Sequence, residues 1–156
     1  QAWGEKKSVP IEETPTDQMA MAMSVLDRSL KTLPIDKNRV YLTGLSMGGY
    51  GSWELAMRRP NLFAAVAPVC GGGDETQAAI LKNIPVWAAH GDSDTAVWPV
   101  RSRTMVEAIR KAGGNVKYTE YPGIGHNSWT KFYADRNGVI PWLFRQVRSS
   151  EGNNAQ

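Results

Sequence analysis

The chain has 156 residues, 42% of them hydrophobic and 21% charged, with 18 Lys+Arg against 15 Asp+Glu for a net charge of +3. That length and balance suit one globular domain with a real core. No apolar run approaches the roughly 20 residues of a helical span, which excludes an integral membrane protein of that kind. The single cysteine, Cys70, excludes an internal disulfide, and 2 histidines leave little for a metal site. The basic residues fall in small helix-spaced groups (Arg58 and Arg59, Arg101 and Arg103, Arg110 and Lys111, Arg145 and Arg148), which read as solvated faces and not as a nucleic-acid footprint.

In chain order, the first dozen residues are polar and read as a loop. A helix is predicted from near Thr14-Pro15: Thr14 caps it, Pro15 suits its first turn, and Asp17 complements its dipole. Met19, Ala22, Met23, Leu26, Leu30 and Leu33 recur at helical spacing as a core face, and Pro34 stops the helix. Val40 to Thr43 is a continuous run of β-formers, as expected of a strand covered on both faces. A helix follows Ser46 and ends at Arg59-Pro60. Ala64 to Val69 and Val86 to Ala89 are two further buried strands. A helix from about Pro99 turns Met105, Val106, Ile109 and Ala112 inward and stops at Gly113-Gly114. Val116 to Tyr121 alternates apolar and polar, as an edge strand does. Two helical segments follow, near Ser128–Ala134 and Val139–Val147, and residues 149–156 read as a polar tail. Strands alternating with helices indicate an α/β fold with a mostly parallel sheet and helices on both faces.

Gly44-Leu45-Ser46-Met47-Gly48 is a G-x-S-x-G sequence between a predicted buried strand and a predicted helix. A nucleophilic serine needs that context, a sharp strand-to-helix turn that presents its hydroxyl. Gly44 and Gly48 remove side chains that would clash where strand and helix cross. The turn aims the Met47 backbone N–H at the place where an oxyanion would form. A serine hydroxyl also needs a base to take its proton. In sheets of this class the order along the chain is serine, acid, histidine, and of the 2 histidines only His126 satisfies it. His90, at the end of the third strand, reads as a residue that shapes the loop after it. The acid is expected in His90-Gly91-Asp92-Ser93-Asp94-Thr95-Ala96-Val97, where Asp92 and Asp94 compete.

Gly44–Gly49, His90–Val97 and Gly125–Trp129 together resemble the α/β-hydrolase superfamily. Within it they are most similar to serine esterases of the feruloyl-esterase, dienelactone-hydrolase-like and prolyl-oligopeptidase-like groups. The resemblance runs from about Gln1 through Val147. It implies Ser46 as nucleophile, His126 as general base and Asp94 as triad acid, because the later aspartate of H-G-x-x-D-x-x-V holds that role in the family. It implies no cofactor. Dienelactone hydrolases proper carry cysteine at the elbow, and Ser46 here argues against their particular reaction.

The family's domain also has strands and an oxyanion loop ahead of the first predicted helix, and nothing before Thr14 fits that loop. The chain therefore reads as roughly the C-terminal two-thirds of a larger hydrolase domain, with the missing N-terminal part as a partner it needs. Residues 1–148 would be a partial catalytic domain. Gly71-Gly72-Gly73 is expected to rim the active-site mouth, with Trp98 and Trp129 as aromatic walls of a substrate pocket. The expected activity is that of a serine carboxylic-ester hydrolase acting on a small-molecule ester through an acyl-enzyme. A prolyl-oligopeptidase-like serine peptidase and a non-catalytic hydrolase-fold module are the alternatives. The resemblance is compatible with secretion.

Overall fold

The apolar runs of the sequence enter one sheet. In the computed structural model, which describes residues 10–148, β1 (Tyr41–Leu45), β2 (Ala65–Val69), β3 (Val86–Gly91) and β4 (Val116–Tyr121) lie side by side in that order. Each neighbouring pair is parallel. The 149–156 tail and the first nine residues of the predicted loop lie outside the described residues.

Helices cover both faces, so the chain is an α/β protein. On one face α1 (Asp17–Thr32), α2 (Met47–Arg58) and α3 (Val100–Lys111) pack with Val66, Val86, Ala88 and Val116 around Trp53, Met105 and Ile109. On the other, α4 (Trp129–Ala134) and α5 (Val139–Arg145) pack Phe132, Val139, Trp142 and Leu143 against Ala65, Ala67, Val69 and Ala89. The sheet residues alternate between the two clusters because successive strand side chains point to opposite faces. Every residue of β2 is buried. That is the pattern of a central parallel strand, and it matches the continuous apolar run in the sequence.

Three expectations about the elements themselves change. The cap of α1 is Thr16, whose Oγ1 accepts from the Met19 N–H at 3.3 Å, and not Thr14. The apolar stripe of α1 is buried only at its N-terminal end: Met19 is buried, Met23 and Leu26 pack partly against the core, and Leu33 is 56% exposed. Among the described residues β1 pairs on one side only, with β2, and it is half-exposed instead of covered on both faces.

The Gly71-Gly72-Gly73 segment does not rim a mouth. All three residues are buried, wedged where the start of α2 meets α3. A Cβ at Gly71 would lie 2.6 Å from the Gly49 carbonyl carbon and 2.7 Å from the Tyr50 nitrogen. Gly71 lacks a side chain because two backbones meet there, and Gly72 and Gly73 are crowded by the side chains of Arg101, Trp53 and Met105.

Candidate active site

Ser46 is the hinge between β1 and α2, with φ 55° and ψ −118°, a left-handed conformation strained for a residue with a Cβ. What holds it there is close packing of backbone on backbone. A Cβ on Gly44 would strike the Gly48 carbonyl group and come within 2.8 Å of Ser52 Oγ, so only glycine lets the strand pass under the first turn of α2. Gly48 itself has nothing within 4 Å of such a Cβ. The position cramped on the helix side is Gly49, against the Val69 carbonyl and Gly71. The Ser46 N–H donates to the Val69 carbonyl at 3.0 Å and to Cys70 Sγ at 3.3 Å. Cys70 also has a positive φ, 40°. The strained serine therefore leans on a second strained residue at the end of the neighbouring strand.

The loops after β3 and β4 bring up the other two side chains. They are bonded to each other: Asp92 Oδ1 accepts from the Gly123 N–H at 2.7 Å, and the Ser93 N–H donates to the Ile124 carbonyl at 3.0 Å. Asp92 also accepts from Ser93 Oγ at 2.8 Å and is exposed. Its carboxylate is thus spent on joining the loops. Asp94 points inward, its side chain fully buried. Oδ1 accepts from the backbone N–H groups of Ala96 and Val97, both at 2.9 Å. Oδ2 accepts from His126 Nδ1 at 2.8 Å and from His90 Nε2 at 3.1 Å.

His126 Nε2 stands 2.8 Å from Ser46 Oγ. The structure thus brings Ser46, His126 and Asp94 into one hydrogen-bonded line and sets Asp92 outside it. The Ser46 hydroxyl donates to Nε2, and Nδ1–H donates to the carboxylate. The His126 side chain keeps 28% exposure while that of Asp94 has none, so the line is open to solvent at the histidine and serine and closed at the acid. Trp129 closes on the imidazole edge to face, with ring centroids 5.3 Å apart. Trp98 is 44% exposed at the start of the segment leading into α3. Met47 opens α2, so its N–H has no acceptor within the helix and faces forward from the positive end of the helix dipole.

Cys70, Asp94 and His126 offer three potential ligand atoms within 4.8 Å of one another. Burial pushes the Cys70 thiol up to about 11, so it is a neutral S–H at physiological pH. Nδ1 and Oδ2 are engaged with each other. The set as it stands is a hydrogen-bonded pair beside a neutral thiol and not a chelate.

Two contributors escape sequence reasoning. Cys70 reads there as a small buried residue, yet the register pairing Leu45 with Val69 puts it beside Ser46. That neighbour relation exists only once strand order is known. Ser102, on α3, bonds His90 Nδ1 at 2.7 Å, and no sequence signal singles it out.

Comparison with known proteins bears on the family and the fold. The sequence profile of the dienelactone hydrolase family matches residues 2–139. A solved thermostable esterase superposes with a TM-score of 0.82 at 39% identity, over 86% of this chain and 38% of its own. A protein of Salmonella typhimurium named as a carboxymethylenebutenolidase is 30% identical over 100 residues, which is 58% of this chain and 37% of the relative. Carboxylesterase SOBER1 of Arabidopsis thaliana is 22% identical over 158 residues, covering 97% of this chain and 68% of that protein. The chain thus spans little more than a third of the first two relatives.

Proposed function

Because the chain belongs to the dienelactone hydrolase family, we propose that it is a serine hydrolase of carboxylic esters acting through Ser46, His126 and Asp94. The observation that carries the reading is the unbroken line of two 2.8 Å hydrogen bonds from Ser46 Oγ through His126 to Asp94 Oδ2.

In this reading Ser46 Oγ attacks the ester carbonyl carbon while His126 Nε2 takes its proton. Asp94 holds Nδ1–H and stabilises the imidazolium without itself becoming protonated. The Met47 N–H donates to the oxyanion, which develops beside the N-terminus of α2. As the tetrahedral species collapses, Nε2–H passes its proton to the departing alkoxide and the acyl group stays on Ser46. A water then attacks the acyl-enzyme while His126 takes its proton, and as the second tetrahedral species collapses Nε2–H returns that proton to Ser46 Oγ, releasing the acid and the free serine.

The shared machinery serves lactones, thioesters and amides as well. Esters are favoured because the relatives carry esterase names. The family's cysteine-dependent lactone reaction is disfavoured, because Cys70 is buried and neutral and Ser46 holds the elbow. Trp129, beside His126, is the proposed wall for the acyl or aryl group, with the exposed Trp98 as a second one.

The test uses the full-length protein. Ser46→Ala is expected to lower p-nitrophenyl acetate turnover by about 10⁴-fold or more, and a fluorophosphonate probe is expected to form its adduct on Ser46. Unchanged turnover in the variant would overturn the assignment. An enzyme that cleaves Pro-peptide amides and leaves short-chain, hydroxycinnamoyl, lactone and thioester substrates intact would overturn the ester class.

A further inference from the structure

His90 is the histidine that the proposed mechanism does not use, and it lies deeper in the molecule than His126. It sits at the C-terminal end of β3, fully buried. Its Nε2 faces Asp94 Oδ2 at 3.1 Å and the Val97 carbonyl at 2.9 Å. Its Nδ1 faces Ser102 Oγ at 2.7 Å, and that hydroxyl is 2.9 Å from the Gly71 carbonyl.

We propose that His90 is a positioning residue for this active site: its Nε2–H holds the same Asp94 oxygen that takes Nδ1–H of His126, and so sets the aim and the basicity of the triad acid. The inference rests on the Ser46–His126–Asp94 reading above.

The proton assignment follows from the partners. A carboxylate and a carbonyl only accept, so the nitrogen between them must carry a hydrogen. The tautomer is therefore Nε2–H, and Nδ1 shares the single Ser102 hydroxyl hydrogen with the Gly71 carbonyl. Charged groups near the ring are Asp94 on the acid loop and Glu120 on β4, the residue paired with His90 in the sheet. Arg103 holds Glu120 with bonds of 2.6 and 2.8 Å. Burial nonetheless drives the His90 imidazole below its ordinary value of 6.5, against the pull of Val97 and Asp94. The ring is thus a neutral donor at physiological pH.

A neutral donor suits this task. It disperses the charge of Oδ2 without adding a cation that would compete for the carboxylate. It is also anchored at both ends, by strand β3 and, through Ser102, by α3 and Gly71. A site carried on rigid elements keeps the fraction-of-an-ångström tolerance that proton transfer needs. Packing alone does not account for the arrangement. An apolar side chain of similar volume would leave the Val97 carbonyl without its donor and Oδ2 with only one of its two donors.

Loss of this bond concentrates charge on Oδ2. A more strongly negative carboxylate favours the protonated form of the imidazole it faces, and the general base is then blocked up to a higher pH.

The experiment compares His90→Leu, His90→Gln and His90→Asn in the full-length protein, reading kcat, KM and the pH profile of kcat/KM. Gln places an amide N–H at the depth of Nε2, toward Asp94. Asn stops at the depth of Nδ1, toward Ser102. Expected for His90→Leu is a loss of about 10- to 100-fold in kcat, the size found for outer partners of catalytic imidazoles in metal sites, with KM little changed and the acid limb at higher pH. Gln restores most of both effects and Asn does not. An unmoved acid limb in the Leu variant, or equal recovery by Gln and Asn, overturns the proposal. If circular dichroism shows the Leu variant unfolded, the Gln and Asn pair decides alone. Ser46→Ala is run alongside. Turnover retained there sinks the triad reading and this inference with it, whereas a dead Ser46 variant beside a wild-type His90→Leu profile sinks this inference only.

Discussion

At the residue scale, hydrogen-bond accounting favours Asp94 over Asp92 as the acid of the proposed triad. Asp94 Oδ1 is held by two backbone N–H groups and Oδ2 by two imidazoles. An asparagine there must keep its carbonyl on the backbone side, because the N–H groups of Ala96 and Val97 can only donate. Its NH2 then faces His126 Nδ1 and forces that nitrogen to accept, which puts the ring proton on Nε2, where it can take nothing from Ser46. Asp94→Asn is therefore expected to lower kcat on the order of 10⁴-fold, the cost of a wrong tautomer in a triad. Asp92 accepts at Oδ1 from Gly123 and Ser93, and an amide oxygen does the same, so Asp92→Asn keeps activity within a few-fold. Steady-state rates on one ester distinguish the two. Much of this was legible in the chain itself. G-x-S-x-G between a strand and a helix points to Ser46, and chain order leaves only His126 as its base. The acid was not legible from residue types, since two aspartates lie two positions apart. Only the loop's backbone donors, which depend on where Ala96 and Val97 turn, separate them. The same holds for His90, whose partner Ser102 comes from another helix.

At the scale of the element, the strand-to-helix turn has a feature the motif does not spell out. Of its two flanking glycines, Gly44 is sterically required and Gly48 is open. Gly44→Ala drives a methyl into the Gly48 carbonyl and Ser52, and overpacking of that kind costs about 1–3 kcal/mol. Gly48→Ala meets nothing and replaces a helical glycine, which is worth about 0.5–1 kcal/mol in favour of the variant. Thermal melts are expected to move in opposite directions, with Tm lower for Gly44→Ala and unchanged or higher for Gly48→Ala. Equal losses would show that both glycines serve the crossing. The elements themselves were readable because their periods were clean: buried runs became β2 and β3, and the spacing of Met105, Val106 and Ile109 became α3. The boundaries of α1 were less so. Thr14 and Thr16 both offer a hydroxyl beside Pro15, and the choice depends on where the chain leaves the surface of α2. The half-exposure of β1 was hidden for a similar reason. Its β-forming run is the same whichever neighbours it has, and only strand order tells an edge from a centre.

At the scale of the whole molecule, the buried titratable groups make the fold acid-sensitive in two stages. His90 lies below its ordinary 6.5 because burial disfavours its charged form. The unfolded chain therefore takes up a proton first as pH falls below about 6.5, and stability declines from there until the folded ring is also protonated. Asp74 follows. Burial raises its carboxyl, but donors from Thr76, Ile11 and Gln77 outweigh that and hold it below 3.8. Its contribution is present above that value and is lost as pH falls through the folded pKa. Asp74 ties the N-terminal segment at Ile11 to the loop after β2, so its protonation loosens a connection across the molecule. Urea melts between pH 7 and 3 are expected to show falling stability across both windows. His90→Gln, which cannot titrate, is expected to flatten the first and leave the second. A wild-type curve flat from pH 7 to 5 would contradict the assignment of His90 as a buried neutral ring.

The edge-to-face contact between Trp129 and His126 has a consequence for the timing of order in this molecule. The imidazole is bounded by Asp94 on one nitrogen, Ser46 on the other and an indole along its side. Few rotamers remain to it before any substrate arrives. The entropy of fixing that ring is spent during folding, supported by the packing of α4, and in the proposed reaction is no longer part of the barrier to each turnover.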